Sequence, residues 1–519
     1  MKADFALAKR RFRALRWAPA LSVSLFGLCV ALALGNQVRL LDYLEWGDES
    51  ETIVAARMLA SGMSLYSQVF NHHGPFAFFP GWLLELFGHF GVRGHRVVIA
   101  VLQVAALFAV YASPLLRHLG QAKLLVMPLA ITAVVLLLPK SELHGQTYTY
   151  QVLAGLLLMA VLAQYTLPSM LAPASILHRH VFWGNAALAC LPWLAVTYLP
   201  IAVLVFACSL RRGTSVAALV GAASGTAANF AFLVSIGSFA GFMADHIYLN
   251  SQILPTYNGG QGAVQLIKSV VLLPTDSITI WFAIVGIIMA LGSLLGRTPR
   301  GSAWRFALLA AALGSLLMRG LVNHGATFWY AVIAVATIAA AMAVARISLT
   351  GSQRALGLAA STFCVLQLLY PLASRGAYAD GKRAENTEFG WIAQQLTGPD
   401  DKIIAYSFQN FEYLAADRLP ASGHFFYLPW QAAYNEHPKF GIVIDACHDI
   451  SISRPKLILL DKWKVWNRYS WDGYAGCIQS IVDRDYTQLP DRPVYVRNDL
   501  FERASLLHVP TGLHRSIPE

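Results

Sequence analysis

Charge is what this sequence lacks. Only 13% of its 519 residues are Asp, Glu, Lys or Arg, against about 25% in soluble domains, and 56% are hydrophobic. That balance excludes an ordinary soluble protein. Acidic residues are the scarcer sign, 28 against 39 Lys and Arg, which leaves a formal charge of +11. The excess does not mark a nucleic-acid binder. Lys2, Lys9, Arg10, Arg11, Arg13 and Arg16 precede the first apolar run, and no basic stripe is interleaved with exposed aromatics. A phosphate loop is missing too: GGQG at 259–262 has no strand before it and no Lys-Ser/Thr after it. Cysteine is sparse. Cys29, Cys190, Cys208 and Cys364 fall inside apolar runs as packing residues. Cys447 and Cys477 are the two outside them, and an oxidising compartment predicts that they pair.

Long apolar runs are abundant. They predict eleven membrane-spanning helices at 18–35, 96–116, 123–139, 151–167, 181–197, 199–210, 214–236, 276–296, 303–318, 325–345 and 354–372. The first follows a basic segment and contains Ala-Leu-Ala at 31–33, but many spans follow, so it is an uncleaved span. With the N-terminus in the cytoplasm, one set of loops carries Arg117 and Lys123, Arg179, Arg211 and Arg212, Arg297, Arg300 and Arg305, and Arg346 and Arg354, with no Asp or Glu. That is the positive-inside pattern. The other side receives loops 36–95, 140–150, 237–275 and 319–324 and the C-terminal region. Residues 1–372 are therefore expected to form a multi-span α-helical membrane domain that includes the first external loop, 36–95. Residues 373–519 are richer in charge and proline. There RAENTEFGWIAQQL (383–396) predicts a helix, and KIIAYSF (402–408), PKLILLD (455–461) and PVYVR (493–497) predict strands, a small periplasmic α/β domain.

The first external loop opens on WGDESE (46–51), three carboxylates where the chain leaves its first span. Asp48 can cap the helix that follows, Glu51 sits at the capping-box position, and Gly62 can end it. FAFFPGWLLELFGHFG (76–91) contains Pro80, Gly81, Glu85 and His89 and is expected to lie at the interface rather than to span. Polar groups gather on this face: Arg57, Tyr66, Asn71, His72 and His73, then Glu142, His144 and Gln146, then Asp245, His246, Tyr248 and Asn250, then Arg319, Asn323 and His324. Ionisable groups are costly at the mouths of apolar helices and point to a site.

GDESETIVAARMLASGMSLYSQVFNHHGPF (47–76) combines an Asp-Glu pair, an Ala-rich helix, Gly-x-x-x-Tyr and a His-Gly-Pro turn. It resembles the GT-C glycosyltransferases, above all the bacterial branch of lipid A aminoarabinose transferase and the protein O-mannosyltransferase-like enzymes. RGLVNHGATFWYAVIAV (319–335) and FEYLAADRLPASGHFFY (411–427) resemble that branch's late span and its periplasmic domain. The resemblance implies a polyprenyl-phosphate sugar donor, a hydroxyl on a lipid, glycan or protein acceptor, and inversion at the sugar. It assigns Asp48 as base, with Glu49 as the second acid that positions Asp48 or contacts a metal. Relatives often place Lys just before Gly-Pro, where this chain has His73. The donor phosphate then falls to Arg57, Tyr66, His72, His73, Arg319 and His324, because guanidinium forks suit phosphate. A divalent cation held by His72 or His73 with Glu142, His144 or Asp245 is a candidate cofactor, and no nucleotide cofactor is expected. The bacterial inner membrane is the expected location.

Two other classes stand beside this reading. An O-antigen ligase or polymerase would carry its polar groups in a large late loop, whereas here the densest motif is early. A transporter or flippase would show internal repeats and buried midplane polar groups. Neither is clear, although Gln103, Asn185 and Asn229 are isolated polar residues within spans.

Overall fold

The run after the basic N-terminal segment forms one helix, Lys2–Leu40, whose apolar stretch begins at Pro19. The computed structural model describes residues 2–43, 47–139, 143–257, 278–295, 303–317, 325–346, 351–373 and 386–513. Among them, five helices are long and apolar enough to cross a membrane: Pro19–Leu40, Gly91–Tyr111, Tyr150–Leu171, Arg212–Ile236 and Gly325–Ala345. At 21 to 25 residues and a rise of about 1.5 Å per residue they match a hydrocarbon core of about 30 Å. Shorter apolar helices lie at Ala122–Leu137, Val196–Ser209, Val285–Leu295, Ala303–Gly314 and Gly357–Ala373.

Proline explains the main difference from the sequence expectation. The span expected at 181–197 is a helix His178–Cys190 closed by a 3₁₀ turn Leu191–Trp193, and a new helix starts at Leu199–Ser209. Pro192 and Pro200 sit at the first positions of the second and third pieces, where a missing N–H costs nothing. Helix Ser215–Ile236 packs backbone to backbone on His178–Cys190. A Cβ at Gly221 would lie 2.2 Å from the Phe182 carbonyl oxygen, and one at Gly225 2.3 Å from that of Ala186. The small residues of GAASG permit this approach.

The mid-span amides donate locally, although the buried Oδ1 atoms of Asn185 and Asn229 have no hydrogen-bond partner among the described residues. Asn185 and Asn229 donate to the carbonyls of Val181 and Gly225, one turn back on their own helices. Gln103 donates to the Gly145 carbonyl and the Tyr330 hydroxyl. Gln103, and Asn229 through its contact with Cys190 Sγ, link neighbouring helices, whereas the Asn185 bond stays within its own helix.

The C-terminal region builds a four-stranded mixed sheet in the order β1 (Ile404–Tyr406), β2 (Leu457–Leu460), β4 (Val494–Arg497), β3 (Tyr486–Gln488). β1 and β2 are parallel, with Ile404 opposite Ile458, and the other pairs are antiparallel. β3 was not expected: its three residues, Tyr-Thr-Gln, carry no apolar alternation. Alternate side chains of the sheet join two different cores. Ile404, Tyr406, Ile458 and Leu460 meet Ile450, Ile478 and Val482 of helices Ala446–Ser453 and Gly476–Asp485. Ala405, Leu457, Leu459, Val494 and Val496 share a core with Val54, Met58, Leu59 and Phe70 of the loop 36–95. Burial on both faces is why β2 is uniformly apolar. A disulfide joins Cys447 to Cys477 across 30 residues and ties the two helices together. A loop of that length contributes about 3–4 kcal/mol in the chain-entropy account.

Candidate active site

The first loop folds into helix Gly47–Ala60, from Asp48 through Arg57, and ends at Gly62, whose φ of +93° is open to glycine. The short helix Phe79–Glu85 then runs only seven residues, too few to span. The loop helix is buried along most of its length, Glu49 through Leu59. Ile53, Val54, Met58 and Leu59 give it an apolar side that predicts a helix lying along the membrane surface; instead it is enclosed, with helix Phe411–Ala416 of the C-terminal region packed against it.

Its carboxylates part company at once. Glu49 is fully buried and gripped by Arg96 through two forked contacts, Nε to Oε1 at 2.9 Å and Nη2 to Oε2 at 2.5 Å. The Tyr148 N–H donates to the same carboxylate at 2.8 Å. Arg96 also donates to the carbonyls of Leu40, Leu41 and Tyr43 at the end of the first helix. Glu49 thus locks the loop helix to the bundle. Arg96 was read from sequence only as the start of a span, although a charge at that point was the signal to follow.

Glu51, taken from sequence as a capping residue, is 1% exposed and belongs to the site. Asn71 donates to it at 2.8 Å, and His73 Nε2 lies 3.6 Å from its Oε1. Burial, then the neighbouring Asp48 charge, push its carboxyl well above the usual range, against the pull of the Asn71 hydrogen bond. Asp48 itself is half-buried in the first helical turn. Its backbone carbonyl takes the Thr52 hydroxyl proton, so it lies within the helix rather than before it.

The His-Gly-Pro turn is held from all sides. The His73 ring sits 4.2 Å from the Tyr150 ring and 4.1 Å from that of His72. Tyr66, in left-handed backbone at φ +67° and fully buried, donates its hydroxyl to the His73 carbonyl at 2.6 Å. Burial and the nearby Asp245 raise the Tyr66 pKa well above its ordinary value. His246 Nδ1 and Asn250 Nδ2 contact the His72 carbonyl at 3.0 and 2.6 Å. A Cβ at Gly74 would strike the Trp193 carbonyl oxygen at 2.0 Å, so only glycine fits the turn. Glu51, His72 and His73 together offer ligand atoms that all lie within 4.8 Å of one another.

Asp245 and His246 come from Phe242–Ile253, twelve residues of π-helix, a form found mostly as single turns and often near functional sites. Asp245 is fully buried, neither carboxylate oxygen has a hydrogen-bond partner, and burial raises its pKa well above the usual range. Among the described residues His144 is not part of the close Glu51–His72–His73 group. It is half-buried in left-handed backbone at φ +47°, and burial with the nearby Arg96 lowers its pKa to about 4. Arg57 is held elsewhere. It donates to Glu85 at 3.1 Å and to Asp417 at 3.0 Å, and Asp417 also meets His89 at 2.9 Å. It ties the first loop to the C-terminal region. Glu142, Arg319, His324 and GGQG lie outside the described residues.

The aromatic stretch 462–474 packs through its rings on neighbouring elements. Trp466 stacks on Trp430 at 5.2 Å, and Tyr469 meets Tyr257 of helix Leu254–Tyr257 at 5.0 Å.

No family model and no curated protein matches the sequence. The fold does match solved structures. ArnT from Cupriavidus metallidurans bound to undecaprenyl phosphate superposes with a TM-score of 0.59 at 14% identity, over 90% of this chain and 97% of that one. The same protein in its apo state gives 0.57 at 13% identity over the same shares. The chain has the fold of ArnT, the branch that the first-loop motif resembles.

Proposed function

We propose that this chain is a membrane glycosyltransferase that moves a sugar from a polyprenyl-phosphate donor to a hydroxyl of a cell-envelope acceptor, with inversion, at the periplasmic face of a bacterial inner membrane. The reading includes eleven spans, a cytoplasmic N-terminus and a C-terminal periplasmic domain beyond residue 372. Its main support is the placement of Asp48 beside the buried Glu51–His72–His73 group, in a chain with the fold of a protein solved with undecaprenyl phosphate.

The chemistry follows from the side chains. Asp48 accepts the acceptor hydroxyl proton as the oxygen attacks the anomeric carbon. The new carbon–oxygen bond forms as the bond to the phosphate oxygen breaks, and the electron pair leaves with the lipid phosphate. The carboxylate also stabilises the oxocarbenium-like charge on the sugar. Two imidazoles and one carboxylate form a donor set suited to a zinc-like divalent cation, with Glu51 joining His72 and His73 in place of the acids and His144 expected from sequence. Such a cation would supply positive charge for the departing phosphate. Asn71 and Tyr66 hold the turn that presents the two histidines. Burial of Glu49 against Arg96 fixes the helix that aims Asp48.

The test compares wild type, Asp48→Asn and null cells by mass spectrometry of surface glycans and lipid extracts, with protein level checked by blotting. A base contributes about 10²- to 10⁴-fold, so Asp48→Asn should match the null, lose the same sugar and accumulate polyprenyl-phosphate sugar. Wild-type glycans in the Asp48→Asn cells would remove Asp48 from the chemistry.

A further inference from the structure

At the other end of the bundle a cavity of ≈ 430 Å³ opens beside Arg211, Arg212 and Arg305. The three cations come from two places in the chain. Arg211 and Arg212 follow helix Leu199–Ser209, and Arg305 lies in helix Ala303–Gly314. Arg305 is positioned by donating to the Leu210 carbonyl at 3.1 Å, with its guanidinium 5.2 Å from the Trp304 ring. Among the described residues no carboxylate pairs with any of the three, and none lines the cavity. Burial and the neighbouring Arg305 lower the Arg211 pKa, as expected where like charges gather; Arg211 and Arg305 are half-buried and Arg212 is exposed.

The remaining wall is split between polar and apolar groups. Thr214 precedes the first turn of helix Ser215–Ile236, and Ile176 and the buried Val181 form a greasy side. The height of the cavity follows from that helix. Its far end, at Gly237, pairs with Leu65 of the first external loop. Twenty-two residues separate the two ends by about 33 Å, one bilayer core. The cavity therefore sits at headgroup level in the leaflet opposite the candidate active site. The positive-inside rule accounts for cations at that level. It does not account for three arginines converging on one hole without a counter-charge.

We infer that this cavity binds the phosphate headgroup of an anionic phospholipid. Guanidinium forks suit phosphate oxygens, the apolar side accepts the start of an acyl chain, and basic pockets between helices on this face are suited to anionic headgroups. The site is independent of the transfer reaction.

Native mass spectrometry of the full-length protein, titrated with phosphatidylglycerol or phosphatidylcholine, tests it. Wild type should retain the anionic lipid at least about tenfold better. Arg212→Gln combined with Arg305→Gln should abolish that preference, and Arg117→Gln, a cation outside the cavity, should keep it. Should the double variant fail to fold, the exposed Arg212→Gln change alone should weaken retention several-fold. Equal retention of both lipids by wild type, or an undiminished preference in the cavity variants, overturns the proposal. So does displacement of the bound lipid by millimolar inorganic phosphate, which would make the cavity a site for free anions.

Discussion

Glu49 and Glu51 are two residues apart on one helix, both sealed from solvent, and their surroundings are opposites. At about 100° per residue their side chains leave the helix on opposite sides. Glu49 meets a guanidinium fork and a backbone N–H. Glu51 meets an amide, an imidazole and the charge of Asp48. A buried carboxylate that is neutralised and fully hydrogen-bonded holds structure. One buried beside another carboxylate, and facing a histidine pair, holds unfavourable charge that a substrate or cation can relieve.

The largest way to break this contrast is to remove one partner on the Glu49 side. Arg96→Met leaves a carboxylate buried without its cation, which costs about 3–5 kcal/mol. The expected result is low yield and a strongly lowered unfolding temperature in detergent. A variant as stable as wild type would show that Arg96 does not anchor the loop.

The Glu51 side should answer differently. Glu51→Gln keeps the hydrogen bond with Asn71 and removes a charge that burial disfavours. Glu51 has a raised folded-state pKa, so the stability linked to its neutral form is complete below the ordinary glutamate pKa and is lost as pH rises through the folded value. Wild type should therefore fall behind Glu51→Gln as pH rises, in unfolding measured at pH 5 and pH 8. Sugar transfer by the variant should drop by about 10- to 100-fold. Normal transfer with unchanged stability would reduce Glu51 to a spacer.

The smallest effect is expected at the rim. The Asp417 side chain is 57% exposed where it meets Arg57, so Asp417→Asn should cost no more than about 1 kcal/mol. Glu85→Gln, at the fully buried end of the same arginine, should cost several times more. Equal costs would mean that the two ends of the Arg57 bridge are equally desolvated.

Much of the fold was legible because it is written in local patterns. Long apolar runs announce spans, prolines announce their breaks, and short apolar runs announce β1, β2 and β4. β3 was missed because its short polar strand takes its place from pairing with β4 alone. The site was legible as a region: Asp48, Tyr66, His72 and His73 all fall in one loop. The roles inside it were less so. Glu51 looked like a cap because Asp-x-x-Glu before a helix is what capping looks like, and Arg57 looked like a phosphate ligand because its partner Asp417 is 360 residues away.

By itself the sequence determined the solvent for each region, since the free energy of placing a segment in lipid or water depends on its own composition. The distribution of Lys and Arg set an expectation for the face on which the polar groups collect. Only the tertiary structure decided which carboxylate is paired with Arg96 and which is left beside His73. That choice depends on distances of a few ångströms between residues tens of positions apart, and burial turns those distances into the difference between a fastening and a site.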